Sequence, residues 1–177
     1  MSIREIIGYR GADRGYALLV LKKNRWEKSQ GPDEYFGHGI YFFEEDESEA
    51  YNWARHNRKI PEKDISLIQA CIKCNRCEIM DLVKNVTYRE YLQVIKAIQK
   101  KFENEDKSPD IKYPFDCRVI NMLCDRHGYK LVRGPYNPRN RLSIGLIKAG
   151  ATRIPKIHIQ LCVRDENIIT DYRICLY

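Results

Sequence analysis

The chain has 177 residues, a hydrophobic fraction of 44%, a charged fraction of 31% and a net charge of +7. This length favours one domain over residues 1–177 with a full core, and the composition is that of an ordinary soluble protein. Charged residues interrupt the segment after Met1, so we expect neither a signal peptide nor a membrane span. Seven cysteines without a secretory signal predict reduced thiols and a cytoplasmic protein.

The N-terminal part of the chain reads as short strands and helices separated by turns. Periodicity and turn composition predict a strand at Glu5–Tyr9, a helix at Arg14–Lys23, a turn at Ser29–Asp33, an aromatic strand at Ile40–Phe43 and a helix at Ser48–Arg58.

The C-terminal part continues with the same kinds of element. Alternation predicts a strand at Asp64–Cys74, and Thr87 with Glu90 forms a capping box that predicts the start of a helix. A further helix is expected at Asp116–His127, ended by Gly128, and a last strand at Ile157–Arg164. No β-α-β rhythm is present, so the fold class is predicted to be an antiparallel α+β domain.

Two glycine-containing segments carry the functional information. In the first, Tyr9-Arg10-Gly11 ends a strand, with a cationic side chain directly before a glycine. In the second, Gly37 and Gly39 flank His38 just before the strand that holds Tyr41. Glycine lets a ligand approach the backbone closely, and a tyrosine ring is suited to stacking on an aromatic heterocycle.

Together these segments resemble the NAD-binding half of ADP-ribosyltransferases of the diphtheria-toxin and poly-ADP-ribose-polymerase type. Met80-Asp81-Leu82 and the strand His158–Arg164 resemble a bacterial group of small ADP-ribosyltransferase-like proteins, with relatives among toxin and phage-defence effectors. The resemblance implies an ADP-ribosyltransferase fold, with two antiparallel sheets around an NAD cleft and helices packed outside. It also implies NAD as a substrate and mono-ADP-ribosyl transfer as the activity.

The resemblance implies roles for particular residues. The cofactor-binding set is Tyr9, Arg10, Gly11, Gly39, Tyr41, Tyr51, Trp53 and His158, and the catalytic set is Arg10, Tyr41 and Gln160. Tyr41 forms one wall of the nicotinamide slot, and Trp53, or Tyr51 in its place, forms the other. Both Tyr41 and Trp53 have the alternative of being ordinary core aromatics.

Two positions depart from the family pattern. Arg10 stands where histidine is expected, and its guanidinium can still reach a phosphate or ribose oxygen. Gln160 stands where many transferases have glutamate, and an amide can bind a hydroxyl but cannot take a proton. Gln160 therefore favours a single transfer over chain elongation, and it leaves open an inactive module that binds NAD or ADP-ribose.

The positive charge is concentrated in one segment, which we call the basic window, residues 128–156. It holds seven Lys and Arg residues and no Asp or Glu, so it accounts for the whole net charge of +7. Such a segment favours a polyanionic partner, although a solvated basic loop is the plain alternative. RNA is the preferred acceptor, with Arg133, Tyr136, Arg139 and Arg141 as its predicted contacts.

Several alternatives and partners remain open from the sequence. A protein is the second candidate acceptor, and hydrolysis of NAD without an acceptor is a third reading. A toxin of this kind implies an inhibitory antitoxin partner. The spacing Cys71-x-x-Cys74-x-x-Cys77 lacks a fourth Cys or His nearby, so no metal site is predicted.

Overall fold

The computed structural model describes residues 2–104, 115–136 and 157–175. The helices in these ranges are α1 (Arg14–Lys23), α2 (Glu47–Asn52), α3 (Asn85–Asn104) and α4 (Asp116–His127). The strands are β1 (Ile3–Asp13), β2 (Ile40–Glu44), β3 (Ile65–Asn75), β4 (Ile79–Asp81), β5 (Leu131–Tyr136), β6 (His158–Val163) and β7 (Ile169–Cys175).

The strands form one seven-stranded sheet with the order β4-β5-β6-β2-β1-β3-β7. β4 and β5 are parallel, and the other neighbours are antiparallel. The α+β class expected from the sequence is therefore confirmed. The described strands are hydrogen-bonded into one mixed sheet, whereas two antiparallel sheets were expected.

The hydrogen-bonded pairing between neighbouring strands is shortest at the centre of the sheet, between β1 and β2. β1 pairs with β3 along its whole length, from Ile3 opposite Asn75 to Asp13 opposite Ile65. With β2 it forms only two residue pairs, Gly8 with Glu44 and Tyr9 with Phe43. One half of the sheet, β4-β5-β6-β2, is thus joined to the other half, β1-β3-β7, over a very short ladder.

Hydrophobic side chains cover both faces of this sheet. On one face Val20 of α1 packs with Trp26 and Phe42, and on the other Ala50 of α2 and Val119 of α4 pack with Phe43. Phe42 is 1% exposed, and full burial of such a side chain contributes about 1.5–3 kcal/mol. Successive side chains of a strand point to opposite faces of the sheet, so Phe42 and Phe43 of β2 belong to different cores.

The local signals predicted several elements correctly. α1 has the expected bounds, with Asp13 accepting a hydrogen bond from the Tyr16 N–H and Asn24 ending the helix at φ 47°. α4 also has the expected bounds, ended by Gly128 at φ 69°. A side-chain cap thus starts α1, and a left-handed residue ends each of the two helices.

Other predictions were wrong in detail. The helix expected at Ser48–Arg58 consists of α2 followed by a π-helical turn at Trp53–Asn57. α3 begins at Asn85, so Thr87 lies inside the helix and is not its N-cap. β5 and β7 were not predicted, because β5 contains Gly134-Pro135 and β7 is an edge strand with exposed polar residues.

Candidate functional site

A cleft opens where β1 and β2 separate. The Ile7 carbonyl accepts a hydrogen bond from the Glu45 N–H at 3.0 Å, so alternate residues of β1 direct their backbone groups toward β2. Tyr9 pairs with Phe43, and a continuing ladder would pair Gly11 with Tyr41. That pairing is absent from the described ladder, and the Tyr41 carbonyl instead accepts from Arg10 Nη1 at 3.1 Å. The backbone of Gly11 therefore faces the cleft.

The cleft contains a cavity with a volume of about 230 Å³. Its lining residues are Arg10, Gly11, Ser29, Glu34, Tyr35, Tyr41, Phe43, Trp53, Asn57, Arg58 and Gln160. The structure thus brings together Arg10, Gly11, Tyr41, Trp53 and Gln160, which the sequence analysis selected from positions far apart in the chain.

Arg10 is a buried cation in this cavity. Arg10 is 6% exposed, and its Nε atom is buried without a hydrogen-bond partner in the described structure. Its guanidinium lies 5.4 Å from the centroid of the Tyr16 ring, a cation–π distance. Among the described residues no carboxylate lies within 4.0 Å of it. Burial of a charge without an ionic partner is costly, so this arrangement fits a site that receives an anionic group.

The electrostatic surroundings of Arg10 agree with this view. Burial lowers the pKa of Arg10 and the nearby positive charge of Arg58 lowers it further, whereas Tyr16, Glu27 and Glu34 oppose part of this shift. An arginine side chain nevertheless keeps its charge in proteins. Arg58 is exposed and also lines the cavity. Two guanidinium groups therefore lie at one cavity, which suits a phosphate or diphosphate.

Tyr41 contributes an aromatic wall whose polar end is already bound. Its hydroxyl donates to the Gly37 carbonyl at 2.6 Å and accepts from the Phe36 N–H at 3.1 Å. Burial raises the pKa of this phenol well above its usual range. The hydroxyl thus holds the preceding loop, while the ring lines the cavity.

Trp53 contributes a second aromatic side chain from the start of the π-helical turn. Its ring is 6.1 Å from that of Phe43 and 5.6 Å from that of Tyr136, measured between centroids. The turn closes with a hydrogen bond of 3.1 Å from the Arg58 N–H to the Trp53 carbonyl. Single π-helical turns are frequent at functional sites. This turn brings Asn57 and Arg58 to the cavity. The sequence predicted a continuous helix here and did not indicate these two residues.

Gln160 lies at the closed end of the cleft. On β6 it is opposite Phe43, which is itself opposite Tyr9, the last residue of the β1–β2 ladder. It is 3% exposed and lines the cavity. Gln160 therefore contributes a carboxamide to the cavity lining, and a carboxamide does not ionise.

The loop before β2, residues 29–39, brings Ser29, Glu34 and Tyr35 to the cavity mouth. Ser29 and Gly39 exchange backbone hydrogen bonds of 2.8 and 3.1 Å. The His38 N–H donates to Asn121 Oδ1 of α4 at 2.9 Å. Sequence reasoning recognised a turn here but missed these three residues, because turn composition does not indicate which part of the fold a loop covers.

Both predicted glycines have packing reasons for their identity. A β-carbon on Gly11 would lie 2.2 Å from the Ala50 carbonyl oxygen, so glycine lets α2 pack against β1. A β-carbon on Gly39 would lie 2.5 Å from the Cys162 sulfur. Gly39 is therefore needed for the approach of the loop to β6, and it is not among the residues that line the cavity.

Tyr9, Tyr51 and His158 lie near the cleft but outside its lining. The Tyr9 hydroxyl accepts from Gln69 Nε2 at 2.7 Å, and Tyr51 is half-buried on α2. His158 is 3% exposed, with Nδ1 2.5 Å from Asp46 Oδ2, and this aspartate also caps α2. His158 thus anchors the start of α2, and its ring packs edge-on against Phe43, a lining residue, at 6.4 Å between ring centroids.

The predicted acceptor contacts divide into two groups. The Arg133 guanidinium is 2.6 Å from Glu44 and 3.1 Å from Asp81, in an ion-pair network that also includes Arg4. Tyr136 is 8% exposed and packs among aromatic rings. Arg133 is thus held by two carboxylates, and Tyr136 is buried. Arg139 and Arg141, with residues 137–156 of the basic window, lie outside the described residues.

Three further observations describe the rest of the molecule. In the described ranges, no three or more His, Cys, Asp or Glu side chains are grouped so as to hold a metal ion. None of the helices described here is both long and apolar enough to cross a membrane. The cysteines at positions 71, 74, 77, 117, 124, 162 and 175 are free thiols. Burial raises the pKa of Cys74 to about 11.

Comparisons with known proteins leave the family of this chain open. No family model matches it, and no solved structure matches it. It is 34% identical over 87 residues to an uncharacterized protein of Methanocaldococcus jannaschii. The aligned region covers 48% of this chain and 40% of that relative, so the chain spans less than half the length of the relative that it matches.

Proposed function

We propose that this protein is an NAD-dependent mono-ADP-ribosyltransferase whose active site is the cleft between β1 and β2. One observation carries the proposal: a buried arginine without an ionic partner in the described structure lies beside two aromatic side chains, where the sheet separates. NAD offers the matching groups, an anionic diphosphate and a flat nicotinamide. In this proposal the single sheet, nearly divided at its centre, corresponds to the two sheets of an ADP-ribosyltransferase fold.

Each lining residue then has a role that its chemistry permits. The Gly11 backbone binds the nicotinamide carboxamide, and Tyr41 and Trp53 enclose the ring. Arg10 binds a phosphate or ribose oxygen, and Arg58 adds a second cation at the mouth. Gln160 binds a ribose hydroxyl at the closed end. Positioning and electrostatic stabilisation of a charged ribose are the main demands of the reaction.

RNA is the acceptor that we propose, and the proposal rests on charge. The basic window holds the entire net charge of +7, and phosphate contacts by Lys and Arg dominate nucleic-acid affinity. The loop residue Tyr35, which is 60% exposed, supplies an aromatic side chain that lines the cavity. We further propose a toxin or defence effector that acts in the cytoplasm, where an antitoxin partner restrains it. Free thiols at all seven cysteines suit a reducing compartment.

A second candidate is a catalytically inactive module that binds NAD or ADP-ribose. The observation in its favour is Gln160, since an amide at the closed end of the cleft cannot take a proton. A protein acceptor is the other alternative, because a basic surface also suits an acidic polypeptide. The two experiments that follow separate these cases.

The first expected result concerns binding of NAD. The chain has two tryptophans, and Trp26 is buried against Phe42 on the opposite face of the sheet. In Trp26→Phe protein the fluorescence therefore reports Trp53, and NAD or nicotinamide should quench it. Adding Tyr41→Ala should weaken NAD binding by about 1–3 kcal/mol, the scale of a lost aromatic stack. Equal NAD affinity with and without Tyr41 would contradict this placement of the nicotinamide.

The second expected result concerns the acceptor. Incubation of the protein with cell lysate and NAD labelled in its adenylate part should release nicotinamide and label RNA. Label lost on RNase treatment and kept on protease treatment supports RNA. The reverse pattern supports a protein acceptor, and free labelled ADP-ribose alone indicates hydrolysis. Binding of NAD without release of nicotinamide would leave the inactive module as the function.

A further inference from the structure

One carboxylate lies in the cavity that the proposed mechanism has not used. Glu34 is the only Asp or Glu among the described residues that line the cavity. The other nearby acid of β2, Glu44, is held by Arg4 and Arg133. Gln160 cannot take a proton. If the cavity contains a base, the described structure offers Glu34.

Glu34 is held in place by its own loop. One carboxylate oxygen accepts a hydrogen bond from the Ser29 hydroxyl. Ser29 is in turn fixed by its two backbone hydrogen bonds with Gly39 at the start of β2. A carboxylate positioned in this way needs little reorganisation before it acts, which favours a catalytic over an incidental role.

The charge on Glu34 is not neutralised by a direct ion pair. Within the described ranges no Lys or Arg nitrogen lies within 4.0 Å of its carboxylate. The cationic side chains of Arg10 and Arg58 line the same cavity without pairing with it. The carboxylate thus keeps an oxygen for a group that enters the cavity.

The position of Glu34 indicates which part of the reaction it serves. Gln160 is 3% exposed at the closed end of the cleft, whereas Glu34 is half-buried next to Tyr35, which is 60% exposed. An acceptor has to reach the ribose from the open side. Glu34 is therefore on the side from which a nucleophile arrives.

We propose that Glu34 is the general base of this active site, supplied by the loop before β2 and not by β6. This inference rests on the proposed function. The bond between ribose C1′ and the nicotinamide nitrogen breaks, and its electron pair leaves with neutral nicotinamide. The acceptor forms the new bond to C1′ and loses its proton to the Glu34 carboxylate, which releases that proton to water. With water as acceptor, the products are ADP-ribose, nicotinamide and one proton.

The test compares Glu34→Gln with Asp33→Asn, an exposed neighbour in the same loop that does not line the cavity. Release of nicotinamide is measured with water alone and with total cellular RNA, and NAD affinity is measured by Trp53 quenching in the Trp26→Phe background. Glu34→Gln should slow both reactions by about 100- to 10,000-fold, the range for loss of a general base. Its NAD affinity should change less than about threefold, a small change beside that range.

A second variant, Ser29→Ala, tests the same role without changing Glu34 itself. Ser29→Ala keeps the carboxylate and removes its supporting hydrogen bond, so its rate should drop by about tenfold, for a net loss near 1.4 kcal/mol. This variant gives the answer if Glu34→Gln does not fold.

The outcomes also separate this inference from the proposed function. Wild-type protein that releases no nicotinamide overturns both. An active wild type, with Glu34→Gln retaining more than one-tenth of its rate, overturns the role of Glu34 alone. A loss of NAD affinity as large as the loss of rate would likewise overturn it, because a base acts on the rate of the bound complex.

Discussion

Arg10→Met is expected to weaken NAD binding by about 2–4 kcal/mol, or roughly 30- to 1,000-fold, because it removes a buried charge-assisted contact to a phosphate or ribose oxygen. The same change should leave the free energy of unfolding within about 1 kcal/mol of the wild type. The guanidinium is desolvated without a carboxylate partner in the described structure, so replacing it with an apolar chain relieves a cost of burial. The lost hydrogen bond to the Tyr41 carbonyl offsets part of that gain.

The two effects of Arg10→Met are measured separately. NAD affinity comes from Trp53 quenching, and stability comes from urea unfolding. Arg10→Lys is the matched control, because it keeps a charge but loses the planar group that binds two oxygens at once. We expect it to retain part of the NAD affinity. A variant that unfolds easily and binds NAD normally would contradict the role of Arg10 as an anion-binding residue.

Arg133→Met is expected to have the opposite pattern. It should lower the free energy of unfolding by about 3 kcal/mol, since it leaves two largely buried carboxylates with less positive charge nearby. The side chains of Glu44 and Asp81 are 14% and 5% exposed, and Arg4 remains as their other arginine partner. RNA affinity per folded molecule should change little, because the guanidinium already belongs to this network.

The comparison for Arg133 is an exposed ion pair in the same protein. Arg55 and Glu62 have side chains 48% and 56% exposed, so Arg55→Met should change the free energy of unfolding by less than about 1 kcal/mol. Urea unfolding of both variants measures the difference. If Arg133→Met is as stable as the wild type but binds RNA more weakly, the residue has the acceptor role that the sequence suggested.

The sequence by itself determined the elements whose signals are local. α1 begins after a capping aspartate, α1 and α4 both end at left-handed residues, and β6 lies where alternation predicts. These signals arise between residues at most a few positions apart, so they can be recognised in the sequence before the fold is known. The resemblance of three short segments also selected Arg10, Tyr41 and Gln160, which the structure brings to one cavity.

Only the tertiary structure decided how those elements meet. The separation of β1 from β2 after Tyr9 depends on pairing between segments more than thirty residues apart, and no local pattern encodes where a ladder stops. The same holds for Arg133, whose ionic partner Glu44 lies 89 positions away in the chain. Glu34 and Arg58 reach the cavity through a folded loop and a π-helical turn, because long-range packing sets their positions. Charge and residue type therefore predicted which chemical groups the protein has. Long-range packing determined which of the charged side chains are ion-paired and which line the cavity.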